Sequence, residues 1–195
     1  MWDERYAAPE LVYGDQPNDF LASVAPRLSI GRALCLADGQ GRNGVFLASL
    51  SHSVTAVDLS AVGLMRAHQL ARSRGVELAT VHADLANFDL GQGAWDAVVS
   101  IWAHTPSEVR RSLHQRMAAA LRPGGAFVLE AYRPAQLVLG TGGPKSADFL
   151  PTLDELRLDL TDLDLEIARE LDREIHEGAL HDGISAVVQV LAFRR

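Results

Sequence analysis

The chain has 195 residues, enough for one domain with a substantial core, and 48% hydrophobic against 22% charged residues is the composition of a globular protein. A formal charge of −7 with no basic cluster argues against a nucleic-acid partner. No apolar run approaches the ~18 residues of a membrane span, and the charged, aromatic start MWDERYAAPE does not read as a signal peptide, so a cytoplasmic location without a membrane partner is expected.

In chain order, residues 17–28 (PNDFLASVAPRL) suit a helix opened by Pro17. RALCLA, 32–37, suits a buried strand, and VFLASL, 45–50, suits a helix after a glycine turn. SVTAVD, 53–58, reads as a second strand ending on an acid. Ser60 can then cap a helix carrying Leu64, Ala67, Leu70 and Ala71 on its inner side. Residues 76–84 read as a third strand, again ending on an acid, and 95–102 as a fourth. Thr105-Pro106-Ser107-Glu108 has the spacing of a capping box with proline at the first helical position. The helix behind it puts Val109, Leu113, Met117 and Leu121 on one face and turns Arg110, Arg111 and Gln115 away. Arg122-Pro123-Gly124-Gly125 ends it ahead of a fifth strand over 126–132. Thr152 and Glu155 cap a further helix. Two strand-like runs, 165–176 and 184–193, then follow with only a turn around Gly178 and Gly183 between them.

Strands alternating with helices imply a parallel α/β sheet covered on both faces, and the terminal hairpin adds one antiparallel strand. One domain over 1–195 is expected, with an N-terminal cap or lid segment and first helix in 1–29 and the core in 30–195. Cys35, the only cysteine, lies in an apolar run and reads as a buried, inert thiol. The histidines at 52, 68, 82, 114, 176 and 181 lack ligand spacing and read as surface or strand residues, so no metal is expected. Glu166, Glu170, Asp172 and Glu174 read as a solvated edge strand, which argues mildly for a monomer or weak homodimer.

The stretch Leu34–Ala48 holds Gly39-x-Gly41-x-x-Gly44 at the first strand-to-helix junction. Such a turn lets backbone N–H groups approach a ligand, and Asp58 at the tip of the next strand can accept both hydroxyls of a ribose. Those two features suit NAD and S-adenosylmethionine alike. Asp84 at the end of the third strand, Leu121-Arg122-Pro123-Gly124-Gly125 and the terminal hairpin favour the second, and no second domain is left over for hydride chemistry.

With these features the chain resembles the class I S-adenosylmethionine-dependent methyltransferases from about residue 30 onward. WDERY with YGDQPNDFL and GQGRN resemble a small bacterial branch related to the tellurite-resistance and thiopurine S-methyltransferase groups. The resemblance implies a Rossmann-like doubly wound sheet of seven strands in the order 3-2-1-4-5-7-6, with the seventh antiparallel and helices on both faces. It implies that Gly39, Gly41 and Asn43 lie at the methionine end of the cofactor. Asp58 would bind the ribose, Leu59 pack near the adenine, and Asp84 and Leu85 meet the adenine edge. Ile101 and Trp102 would border the methyl group and the acceptor. The family usually has an acid where Cys35 stands and a first glycine where Ala37 stands; here the acid is Asp38, expected to face the cofactor's ammonium or to fix the loop.

Methyl transfer from a sulfonium needs no protonated leaving group, so holding the partners in line can supply most of the catalysis. His104 is the candidate base, with ordering of the turn before Thr105 as the competing reading. Trp2, Tyr6 and Tyr13 are expected in a lid, Glu130 and Tyr132 at the pocket wall, and Lys145 in the glycine-rich flap 132–149. The function expected is methyl transfer to a small-molecule acceptor, possible ones being thiols and chalcogen anions. A non-catalytic module binding S-adenosylmethionine or S-adenosylhomocysteine, and an NAD(P)-dependent oxidoreductase, stay open as alternatives.

Overall fold

A computed structural model describes residues 2–8 and 11–195; Met1, Pro9 and Glu10, within the expected lid segment, lie outside the described residues. Two short helices, α1 (Trp2–Tyr6) and α2 (Asp19–Val24), come first, then β1 (Arg32–Leu36), α3 (Arg42–Ser49), β2 (Ser53–Asp58), α4 (Ala61–Ser73), β3 (Ala79–His82) and β4 (Trp95–Ile101). The chain continues through α5 (Ser107–Gln115), α6 (Met117–Ala120), β5 (Leu121–Tyr132), α7 (Leu153–Asp159), β6 (Asp164–His176) and β7 (Asp182–Phe193). The seven strands form one sheet in the order β3-β2-β1-β4-β5-β7-β6. β1 to β5 pair in parallel, and β7 runs antiparallel to both β5 and β6. This is the Rossmann-like doubly wound architecture expected from the sequence, with the seventh strand antiparallel and helices on both faces.

Strand alternation builds the two faces. Ala33 and Cys35 of β1 point into a core with Phe20, Leu21, Leu47, Leu64 and Leu70 from α2, α3 and α4. Leu34 and Leu36 point into the opposite core with Leu113, Met117 and Leu156 from α5, α6 and α7, and with Leu160 just after α7. Strands buried on both faces require continuous apolar runs, which the sequence supplies at 33–36 and 97–99. Among the described residues no helix is long and apolar enough to cross a membrane.

Several boundaries differ from the sequence reading for local reasons. Asn18, not Pro17, opens α2: its side chain accepts the Leu21 N–H, and Pro26 cuts the expected helix short as a 3-10 turn. α3 begins at Arg42 because Gly41, at φ 85°, already turns the chain into the helix. β3 stops at His82, so Asp84 sits in a turn where its own carboxylate accepts the Ala86 N–H. The Thr152–Glu155 capping box forms, whereas the one expected at Thr105–Glu108 does not. There Ser107 instead donates its N–H and hydroxyl to Asp148, a partner 41 positions away.

α5 also shows a face that its periodicity conceals. Arg110, expected to point outward, is buried with Leu113 and His114 beneath the 147–151 segment and α7. It donates to the Asp148 carbonyl at 3.2 Å and lies 3.6 Å from Glu155, while His114 approaches Asp159 at 3.7 Å. His52, His114 and His181 are all buried rather than surface residues. The acids of β6 do stand exposed on the sheet's outermost strand, where Glu166 pairs with Arg27, and Asp172 with Arg133 at 2.6 Å.

Candidate functional site

A cavity of about 640 Å³ opens at the carboxyl ends of β1, β2 and β4, where the strand order reverses around β1. This is where ligands bind in open α/β sheets, and the volume suits a nucleoside-sized ligand together with a small second molecule. Asp38, Asn43, Asp58 and Leu59 line one side, and Asp84 and Leu85 a second. Ile101, Trp102 and His104 form the third, with Trp2, Tyr6, Tyr13 and Lys145 closing around them.

The turn between β1 and α3 is held from both sides. Asp58 accepts the Gly39 N–H through Oδ2 and the Ser60 N–H through Oδ1, each at 2.8 Å. It thereby fixes the glycine turn and the start of α4 together, and each oxygen keeps a further lone pair for a ligand hydroxyl. Burial, the largest cause, raises its carboxyl above the ordinary range. Gly39 and Gly41, at φ 54° and 85°, do not line the cavity. Instead a Cβ on Gly39 would lie 2.5 Å from the Tyr6 hydroxyl, and one on Gly41 2.5 Å from Ala67 Cβ. These glycines permit close packing of α1 and α4 on the turn. α1 is also fastened by Asp3, whose carboxylate accepts from the Ser60 hydroxyl and the Val62 N–H.

Ala37 adopts φ 50°, a left-handed conformation at the position where glycine is usual in the resembling family. The strain there is about 1–2 kcal/mol, partly offset by the extra unfolded-state freedom of glycine. Ala37→Gly is therefore expected to raise stability by roughly 0.5–1 kcal/mol, read as a shift of the urea midpoint at constant slope.

Asp38 accepts the Gly44 N–H at 3.2 Å from within the cavity wall. Burial first, then the neighbouring Asp58, pushes its carboxyl up to about 7. The folded state thus keeps a proton that the unfolded chain releases from about pH 4 upward. The stability contributed by Asp38 is complete below that point and is lost as pH rises to about 7. Asp38→Asn should therefore be indistinguishable from wild type below about pH 4 and more stable by about 1–2 kcal/mol above pH 7, the solvent in the cavity screening the full effect. Urea unfolding at a series of pH values checks this.

The side of the cavity formed by the residues after β4 is aromatic. Trp102 stacks on Tyr132 with ring centroids 4.5 Å apart, and His104 lies nearly parallel to Tyr132 at 5.4 Å. Trp102 holds φ 57°, costly for a bulky aromatic residue and of the kind that clusters at functional sites. Three expectations need correction. Glu130 does not face the cavity: fully buried, it accepts from Asn18 (2.6 Å), Gln189 (2.8 Å) and Arg173 (2.8 and 2.9 Å). Tyr132, also fully buried, backs Trp102 instead of lining the wall. His104 is placed poorly for a base, because its Nε2 accepts the Tyr132 N–H at 3.1 Å and a hydrogen bond to the Trp102 backbone engages the ring as well. Burial, with His181 close by, depresses it to about 3. The turn-ordering reading of this residue is the one its geometry supports.

Asn18, Arg42, Glu177 and His181 were not identified from the sequence. Arg42 lines the cavity while its guanidinium donates to buried Glu177 at 2.5 Å, and Asn43 Oδ1 accepts the Asn18 N–H at 2.9 Å. His181 lines the cavity with its ring 4.7 Å from Tyr13 and 5.1 Å from Trp102. Burial lowers it to about 4, so the ring is neutral, and its Nδ1 has no hydrogen-bond partner among the described residues. The only signal for Arg42 and Asn43 was their place in GQGRN; the hairpin turn carried none.

Residues 33–125, the stretch that runs from β1 into β5, match the family model of a methyltransferase domain. A search of curated proteins finds no match. Among solved structures, one from a study of the conversion of a disulfide bond into a thioacetal group during echinomycin biosynthesis superposes with a TM-score of 0.79 at 20% identity, covering 99% of this chain and 90% of that one. TehB from Haemophilus influenzae gives 0.75 at 19% identity, covering 100% of this chain and 66% of that one. Magnesium protoporphyrin IX methyltransferase from Synechocystis PCC 6803, with bound S-adenosylhomocysteine, gives 0.68 at 16%, covering 94% and 91%. The matched domain is a methyltransferase domain, and the fold is the one that these solved structures share.

Proposed function

We propose that the protein is an S-adenosylmethionine-dependent methyltransferase acting on a small acceptor, a thiol or a chalcogen anion, as a cytoplasmic enzyme that works as a monomer or weak dimer. The observation that carries the reading is Asp58 at the tip of β2, holding the Gly39 turn while facing a cavity large enough for cofactor and acceptor together. In this reading Asp58 receives the ribose, Leu59 and Leu85 flank the adenine with Asp84 at its edge, and Asp38 and Asn43 lie towards the methionine end. Tyr6 and Trp2 cover the turn from α1, and Lys145 closes the flap side.

The bound cofactor supplies an electrophilic methyl group whose leaving group, a thioether, needs no proton. What this chain contributes is alignment and the exclusion of water. Trp102, propped on Tyr132, gives the acceptor a rigid wall, and rigid positioning of this kind can be worth ~7 to 11 kcal/mol. His104 has its ring nitrogens engaged and His181 is neutral with a weakly basic ring, which favours an acceptor that arrives as an anion over one that must first lose a proton. The sulfur chemistry named for one structural neighbour points the same way, with the weight of analogy only. The exposed acids of β6 support the monomeric state.

Calorimetric titration with S-adenosylhomocysteine, S-adenosylmethionine and NADH tests the cofactor, with micromolar binding of the first two expected. Binding of NADH alone would overturn the reading. Formation of S-adenosylhomocysteine is then followed with thiols, selenite and tellurite in turn. Turnover with none of them, despite cofactor binding, would favour a binding-only module.

A further inference from the structure

The turn between β6 and β7 places one carboxylate between the cofactor turn and the acceptor wall. Oε2 of Glu177 accepts both from Arg42 Nη2 at 2.5 Å and from the Trp102 indole N–H at 2.6 Å. Oε1 accepts from Asn18 Nδ2 at 2.8 Å and from Arg173 Nη2 at 3.2 Å. Glu177 is buried, and its backbone N–H donates to the His181 carbonyl at 2.8 Å. The next residue, Gly178 at φ 76°, packs so tightly on the N-terminal segment that a Cβ there would lie 2.5 Å from the Val12 carbonyl oxygen.

We propose that Glu177 is a positioning residue that couples occupancy of the glycine turn to the placement of Trp102 at the acceptor end. The proposal rests on the cofactor reading above. Arg42 is the first residue of α3 and follows the Gly39–Gly41 turn directly, so a ligand seated there acts on the segment that carries its guanidinium. Arg42 and the Trp102 indole share one oxygen, and a change in one bond alters the electron density and geometry available to the other. Trp102 holds a left-handed backbone conformation at the end of β4, which a sidewise anchor on its ring helps to keep. Arg42 pairs with Glu177, while Arg173 pairs with Glu177, Glu130 and the exposed Asp19, so loss of the Glu177 charge removes the ion pair of Arg42. Coupling of this kind is reciprocal, and an acceptor resting on Trp102 would tighten the cofactor turn in the same measure.

The test is indole N–H magnetic resonance of the full chain, ¹⁵N-labelled at tryptophan, with S-adenosylhomocysteine as the probe. Trp102→Phe assigns the Trp102 signal among the three tryptophans. In wild type the probe is expected to shift that signal. In Glu177→Ala the signal should move upfield without probe and exchange with solvent about tenfold faster, the scale set by losing one charge-assisted hydrogen bond. Glu177→Gln keeps the volume and an oxygen for the indole but not the charge for Arg42, and serves if the alanine variant fails to fold. In Glu177→Gln the probe-induced shift should fall severalfold while the probe still binds by calorimetry. An unchanged probe-induced shift in Glu177→Gln overturns the coupling. Absence of probe binding to wild type overturns the cofactor reading and takes the coupling with it, an outcome set apart by the absence of heat in every variant.

Discussion

Asp58→Ala is expected to weaken S-adenosylhomocysteine binding by about 100-fold or more. Two hydroxyl bonds to a charged acceptor are worth roughly 1.5–3 kcal/mol each, and about 3 kcal/mol already corresponds to more than a hundredfold. The substitution also leaves the Gly39 N–H without its acceptor, so the turn loses the geometry that Tyr6 packs against. Asp58→Asn separates the two effects, because an amide oxygen can still hold one N–H but accepts fewer ligand bonds. Calorimetry should place it between wild type and the alanine variant. An unchanged dissociation constant in Asp58→Ala would mean that the ribose lies elsewhere.

The largest effect on stability is expected at Glu130. Glu130→Ala leaves Arg173, most of it out of solvent, beside an empty space and removes acceptors from Asn18 and Gln189. Breaking one side of a buried ion pair costs about 3–5 kcal/mol, which for a chain of this length lowers Tm by roughly 6–20 °C. Glu130 does not line the cavity, so any protein that stays folded should still bind S-adenosylhomocysteine. The double variant Glu130→Leu/Arg173→Met removes both charges and should recover part of the loss, the remainder staying with Asn18 and Gln189, which still lack Glu130, and with Glu177, which loses Arg173. A double variant no more stable than Glu130→Ala would show that the pair itself carries little of the cost.

Asp58 and the hairpin were legible because each rests on local pattern. An acid closing an apolar run marks a strand tip, and two strand-like runs with only a turn between them can pair no other way than antiparallel. What escaped was set by partners remote in sequence. Arg42 meets Glu177 across 135 positions, and Glu130 meets Arg173 across 43. Helical spacing places Arg110 about 60° from Leu113, on the flank of the apolar face, but says nothing of the 147–151 segment that covers that side; the Thr105–Glu108 capping box is absent, and Ser107 bonds to Asp148 instead. Glu130 was read as a wall residue from its place near a strand end; strand parity, with Glu130 sharing the side of Val128 opposite Leu129, would have turned it towards α2.

Cys35 sits in the middle of β1, between β2 and β4, with about 1% of its surface exposed, and burial pushes its thiol well above the ordinary value. A reagent that modifies thiols therefore reaches it when the central strands separate, not through local fraying at the sheet edges. With a single cysteine in the chain, the rate of labelling becomes a direct clock for whole-domain opening. At low reagent it reports the free energy of unfolding, and at high reagent the unfolding rate itself. The protein carries its own reporter, against which every substitution above can be timed without added dye or engineered probe.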